Sequence, residues 1–260
     1  MNPAVEERMQ PDRPGLVAAL GLESGPGIIS VVGGGGKTSL LFELARLLPG
    51  RTVLTTTTRI FASQAREAAL FCSLDQPGWE EAVAGAPSGV LVAGTLGDRH
   101  AVGVPVSVPA RLLALEGVDW VVVEADGSRR LPVKAPAEHE PVIPPETTLL
   151  VSMAGIDALS APIAQIAHRP ERVSALTGLP EAATLSPRAL AELLASDAGG
   201  GKAAPACARR VILINKVESE TTRALAADVA GAALERSGVE RVLAGALQGE
   251  SSLGWSVWPR

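Results

Sequence analysis

The sequence predicts an α/β protein: a three-layer, phosphate-loop-NTPase-like domain with a mostly parallel sheet. Three observations predict it. Short runs that are apolar throughout, as strands covered on both faces must be, recur along the chain. Segments with helical spacing alternate with them. The first of these strands ends in Gly33-Gly34-Gly35-Gly36-Lys37-Thr38 and runs directly into a helix.

Taken in order, the predicted strands are Ile28–Val32, Thr52–Thr55, Val90–Ala93, Trp120–Glu124, Thr148–Ser152, Val211–Ile214 and Arg241–Leu243. Predicted helices occupy Lys37–Leu48, Pro109–Leu115, Pro187–Ala195 and Thr221–Arg236. In the first, Leu40, Leu41, Leu44, Leu47 and Leu48 recur at helical spacing before Pro49-Gly50 ends it. Residues 1–14 read as a polar N-terminal tail and 15–260 as a single domain. The Gly/Ala-rich stretch Ala195–Ala206 reads as a flexible surface connection, with Lys202 facing solvent.

Composition excludes several classes. With 28 acidic and 23 basic residues the net charge is −5, which gives no general attraction to nucleic acid. Neither a basic stripe nor stacking aromatics appear, so no nucleic-acid partner is expected. No apolar stretch reaches the ~20 residues of a membrane span, and the tail lacks a signal peptide's apolar core. A cytoplasmic, membrane-free protein follows as the expectation. Cys72 and Cys207 lack metal-ligand spacing and read as small buried apolar residues. Only four of the 23 basic residues are lysines, and three of them, Lys37, Lys134 and Lys216, fall in the stretches that carry chemistry.

The glycine run is shorter by two residues than the common G-x-x-x-x-G-K-[ST] loop. It resembles the shortened phosphate loop of the Mur ligases and folylpolyglutamate synthetases, which implies ATP. Gly33, Gly34, Gly35 and Gly36 would bring backbone N–H groups close to phosphates, assisted by Lys37, Thr38 and Ser39 at the helix N-terminus. The Thr38 hydroxyl would ligate Mg²⁺.

Three further stretches bear on the same site. Trp120–Glu124 is followed by Ala125-Asp126, so two carboxylates close an apolar strand. Residues two apart on a strand share a face. Glu124 and Asp126 are thus both candidates for Mg²⁺ and, with Lys37, for catalysis. Thr55–Thr58 and Arg59 follow the second strand. Thr57, Thr58 and Arg59 are candidate phosphate or substrate contacts, against the plainer reading that threonine is a good strand residue. Asn215-Lys216-Val217-Glu218 resembles the N-K-x-D motif of GTP-binding proteins, with Glu218 in place of aspartate; the alternative is an Asn turn and a helix cap. ATP or GTP therefore stays open. The stretch Asp126–Pro144 holds Arg129, Arg130, Lys134, His139 and four prolines, a stiff loop fit for an anionic second substrate or for crossing the sheet edge.

Together, Val32–Thr38, Thr55–Thr58, Glu124–Arg129, Lys134-Ala135-Pro136 and His139–Pro144 resemble the YqeC family. That resemblance implies an accessory or selenium-cofactor biosynthesis protein for selenium-dependent molybdenum hydroxylases. Its expected partners are a nucleotide and a molybdenum hydroxylase or its cofactor. The leading expectation is an Mg²⁺-dependent NTPase. The alternatives are an ATP-dependent kinase or ligase acting on a small anion, and a nucleotide-gated chaperone that does not hydrolyse.

Overall fold

A computed structural model describes residues 15–22, 25–61, 68, 70–98, 100–248 and 254–260. The predicted polar tail, 1–14, lies outside them. In chain order the strands are β1 (Gly27–Gly33), β2 (Thr52–Thr56), β3 (Ile60–Phe61), β4 (Phe71–Ser73), β5 (Val90–Ala93), β6 (His100–Ala101) and β7 (Trp120–Glu124). They continue with β8 (Val133–Lys134), β9 (Leu149–Gly155), β10 (Ala167–His168), β11 (Arg209–Asn215), β12 (Arg241–Ala244) and β13 (Ser256–Pro259).

Nine of these form one sheet in the order β13-β12-β11-β9-β1-β7-β2-β5-β4. Every pairing is parallel except that of β13 with β12. The seven strands predicted from apolar runs all lie in it. The two that were not predicted, β4 and β13, are its edges. Pro259, which has no N–H to give a ladder, is tolerated in the edge strand β13.

Side-chain alternation divides the core into layers. Ile29, Val31, Val122 and Val151 pack on one face with Leu40, Leu41 and Leu44 of the helix Lys37–Leu47. Ile28, Val32, Val121 and Val123 pack on the other with Val83 and Leu112, from the helices Trp79–Ala84 and Val108–Leu113. Further along that side, Ile212 and Ile214 meet the helices Pro187–Ala195 and Glu220–Leu234. Helices on both faces of a mostly parallel sheet make the three-layer α/β architecture that the alternation of elements predicted. Among the described residues no helix is long and apolar enough to cross a membrane.

Two details differ from the sequence reading. The Ala195–Ala206 connection is packed down: Ser152 Oγ donates to Gly200 O at 2.7 Å, and Lys202 Nζ donates to Ala137 O at 2.5 Å and Glu138 O at 3.0 Å. Glycine suits it because the backbone carbonyls of Leu193 and Leu194 approach too closely for a Cβ at Gly199 or Gly200. Cys72 is buried as expected, whereas Cys207 is exposed.

The topology fixes where ligands can bind. Gly33, Glu124, Thr56 and Asn215 are the last residues of β1, β7, β2 and β11. All four strands are parallel, so these residues share the carboxyl edge, the usual location of α/β binding sites.

Candidate functional site

A cleft of about 1310 Å³ opens at this edge. Its floor is the start of the helix Lys37–Leu47, with Gly36, Lys37, Thr38 and Ser39 in the lining. The helix has no side-chain cap at Gly36, in contrast to Ser186 and Ser219, which cap the helices Pro187–Ala195 and Glu220–Leu234. An opening turn lacks intrahelical acceptors for its N–H groups. Here that turn faces the cleft.

The glycines do two different jobs. Gly33 N–H donates to both oxygens of Asp126 at 3.1 Å, Gly34 N–H to Met153 O at 2.8 Å and Gly35 N–H to Leu131 O at 3.0 Å. These three donors are committed inside the protein. A Cβ on Gly34 would lie 2.6 Å from Leu131 O, and one on Gly35 2.1 Å from Gly155 N. Glycine here is a condition of backbone-on-backbone packing.

Lys37 is buried, 3% exposed. Its Nζ donates to Gly33 O at 2.8 Å and Ser128 Oγ at 3.1 Å, and lies 3.4 Å from Asp126 and 3.7 Å from Glu124. Thr38 Oγ1 donates to Glu124 Oε2 at 3.0 Å. Burial raises the Glu124 pKa above its ordinary value, against the opposing effects of Lys37 and the Thr38 hydrogen bond. Glu124 is thus a carboxyl group whose charged form burial disfavours, adjacent to a hydroxyl, on the cleft wall.

Asp126 does not share that wall. The strand ends at Glu124, and the chain then turns Asp126 beneath the glycine loop. It is 2% exposed and is engaged by the Gly33 N–H, Lys37 and, at 3.2 Å, Lys134. Lys134 is buried too, donating to Gly127 O and to Glu140 Oε2, both at 2.7 Å. Glu140 also accepts from Arg169 at 2.6 Å and from Ala137 N–H at 3.2 Å. Burial would raise the Glu140 pKa, but Lys134, the Ala137 N–H and Arg169 outweigh it and bring it to about 2.

The threonine run is mostly structural. Thr55 Oγ1 donates to Val92 O, Thr56 Oγ1 contacts Thr58 O and Glu124 O, and Thr57 Oγ1 donates to Val142 O at 2.6 Å. Thr58 Oγ1 is buried without a partner. Neither Thr57 nor Thr58 lines the cleft, while Arg59 does.

Asn215 ties the loops together: its Nδ2 donates to Gly35 O at 2.8 Å and its Oδ1 accepts from Leu247 N–H at 3.0 Å. Lys216 Nζ pairs with Asp157 at 2.5 Å, and Glu218 is exposed on the cleft rim.

Arg129 and Arg130 line the cleft, as do His168 and Arg169. Residues 168–169 arrive because β10 pairs with β8, setting His168 beside Lys134. His139 is exposed and outside the lining; the histidine facing the cleft from this side is His168. Its pKa falls to about 4, first through burial, then through Arg169, Lys134 and Arg129. It is neutral at physiological pH.

As chemistry, the floor offers an uncapped helix start, an ammonium group, and a hydroxyl beside a carboxylate. Hydroxyl and carboxylate oxygens suit a hard divalent cation. Among the described residues no group of three His, Cys, Asp or Glu side chains is disposed to hold a metal. Thr38 and Glu124 nevertheless fit Mg²⁺, which takes one or two protein oxygens and completes its shell with water and phosphate oxygens.

Comparison with known proteins gives two matches. A family described as "YqeC protein" matches residues 29–171, from the first strand through the helix start behind Arg169. Over 243 residues the chain is 35% identical to the "Uncharacterized protein YqeC" of Escherichia coli (strain K12), covering 91% of this chain and 94% of that protein.

Proposed function

The chain belongs to the YqeC family, and from that premise we propose that its cleft binds and hydrolyses a nucleoside triphosphate with Mg²⁺, in the maturation of a selenium-dependent molybdenum hydroxylase or its cofactor. One observation carries the reading. At the uncapped N-terminus of the helix Lys37–Leu47, the Thr38 hydroxyl sits on Glu124 and Lys37 lies between two carboxylates.

In this reading the N–H groups from Gly36 onward bind phosphate oxygens, and the helix dipole favours their charge. Thr38 and Glu124 hold Mg²⁺, which when bound would neutralise phosphate oxygens and polarise the phosphoryl group. Lys37 supplies a positive charge close to the charge that develops on phosphoryl transfer. Asp126 holds Gly33 and Lys37 in place and acts through them. Asn215 fixes the loop by its bond to Gly35 O, whichever base is bound. The matched family segment contains the phosphate and metal candidates but ends before Asn215, Lys216 and Glu218.

Calorimetric titration with ATP and with GTP, each with Mg²⁺, tests the proposal, with Lys37→Ala as control. Binding of one nucleotide, lost in that variant and accompanied by turnover in the native protein, supports it. A preference for GTP would assign Lys216 and Glu218 to the base; a preference for ATP would leave them as a helix entry. Binding unaffected by Lys37→Ala would overturn the proposal.

A second reading, transfer of the terminal phosphoryl group to an anionic acceptor, is favoured by Arg129, Arg130 and Arg169 in the same cleft lining.

A further inference from the structure

Five non-glycine residues among those described hold a positive φ: Arg129 (51°), Arg130 (63°), Arg169 (65°), Ala203 (58°) and Lys216 (65°). Four of the five are cationic, and those four all line the cleft. Left-handed backbone disfavours every residue that carries a Cβ, and glycine removes the penalty. Among the described residues glycine holds twelve other positive-φ positions. At three other positions in the cleft lining the chain retains arginine, so the side chain is kept against the backbone's preference. Strain of this kind gathers at functional sites.

The four cations do not form one group. Lys216 is paired with Asp157 beside Asn215. Arg129, Arg130 and Arg169 belong to the segments joined by the β8–β10 pairing, and His168 is in the same lining. Glu140, the carboxylate at this end, is shared by Lys134 and Arg169. Glu171 also lines the rim. Burial, and after it Arg169, Lys134 and Arg129, lower the His168 pKa, which agrees with this placement of the cations around it.

We propose that Arg129, Arg130, Arg169 and His168 form a second anion subsite, which receives the phosphate group of a small phosphorylated ligand distinct from the nucleotide. Arginine suits this task because its planar fork matches phosphate oxygens in pairs. A neutral histidine adds one donor that does not depend on pH in the physiological range. The cleft, at about 1310 Å³, exceeds the ≈ 300–1,000 Å³ of ordinary small-molecule pockets and has room for two ligands. The subsite deepens the reading of the cleft as a triphosphate site, on which the identity of its neighbour rests.

Pyrophosphate titrated by calorimetry at low salt separates the two sites. The native protein should bind two equivalents, Lys37→Ala one, and the double variant Arg129→Gly, Arg130→Gly one. Because glycine relaxes left-handed backbone, the double variant should melt no lower than the native protein. If it fails to fold, Arg129→Gln with Arg130→Gln replaces it. If Lys37→Ala abolishes all binding, the subsite is overturned and the triphosphate reading stands. If only the arginine variants lose binding, the subsite stands and the glycine-loop reading falls. No binding to the native protein overturns both.

Discussion

Replacing Lys134 by methionine tests whether this lysine holds the site together or binds a ligand. Lys134 is 4% exposed and lies against Asp126 at 3.2 Å and Glu140 at 2.7 Å, themselves 2% and 8% exposed. Removing it strands two buried carboxylates, and breaking buried pairs in this way costs about 3–5 kcal/mol. The Glu140 pKa, brought from 4.5 to about 2 by Lys134, the Ala137 N–H and Arg169 together, points the same way. Arg169 and the Ala137 N–H continue to hold Glu140, and Lys37 continues to face Asp126, so the lower end applies. For a chain of 260 residues, about 3 kcal/mol lowers Tm by about 6 °C. The sign of the pH dependence follows from a lowered carboxylate pKa: the stabilisation is present above 4.5 and is lost as pH falls from 4.5 toward 2. Thermal melts of both proteins from pH 7 down to about pH 3 should therefore show a gap that narrows on acidification. A drop under about 1 °C at pH 7, or a gap that does not narrow, would refute the strut assignment.

The remaining predictions concern the loop and its carboxylate. Gly34→Ala brings a Cβ to 2.6 Å from Leu131 O and 2.9 Å from Pro132 C, both backbone atoms that cannot yield cheaply; urea unfolding should show a loss of about 3 kcal/mol or more. Asn215→Ala leaves Gly35 O and Leu247 N–H without their partner, for about 2 kcal/mol and faster amide exchange of Leu247, whereas unchanged exchange there would contradict the tie. Glu124→Gln removes a carboxylate whose folded pKa is raised, so native stability should fall as pH rises above 4.5 and the variant's should not. At pH 8 the variant should melt at or above the native protein while losing Mg²⁺-dependent nucleotide affinity; a lower melting temperature would count against the burial argument.

Much of the fold is legible because central parallel strands are buried on both faces. Val121-Val122-Val123 or Ile212-Leu213-Ile214 admits no polar position, and such runs stand out in any reading. The edges β4 and β13 face partners on one side only, and their short, mixed sequences carry no comparable signal. The helix Pro187–Ala195 was legible to the residue, because Ser186 caps it and Pro187 begins it. The loop, too, was visible as a motif. Hidden were the acceptors for its N–H groups, since Met153 and Leu131 lie far from it in sequence. His168 and Arg169 reach the cleft through a ladder of two residues, β8 with β10, too short for any periodicity to announce. The left-handed backbone at Arg129 and Arg130 has no signature of its own, because arginine is not the residue that such positions select.

The pair Glu124 and Asp126 shows how far strand logic reaches. Period-two alternation places both on one face only while the strand continues, and β7 stops at Glu124. Beyond that point the chain is free to turn, and the two carboxylates take opposite roles. Asp126 is neutralised from three sides, by the Gly33 N–H, Lys37 and Lys134, and has nothing left to offer a ligand. Glu124 faces the cleft with one hydroxyl and a more distant ammonium group as partners. Burial works against its charge, so a cation arriving there would gain from an unfavourable balance already built into the fold. The lysines divide in parallel. Lys134 is spent on Asp126 and Glu140, and Lys37 stands between the strut and the cleft. Among the described residues Lys37 is the ammonium group within ion-pair distance of both Glu124 and Asp126, so it joins the buried network to the cleft wall.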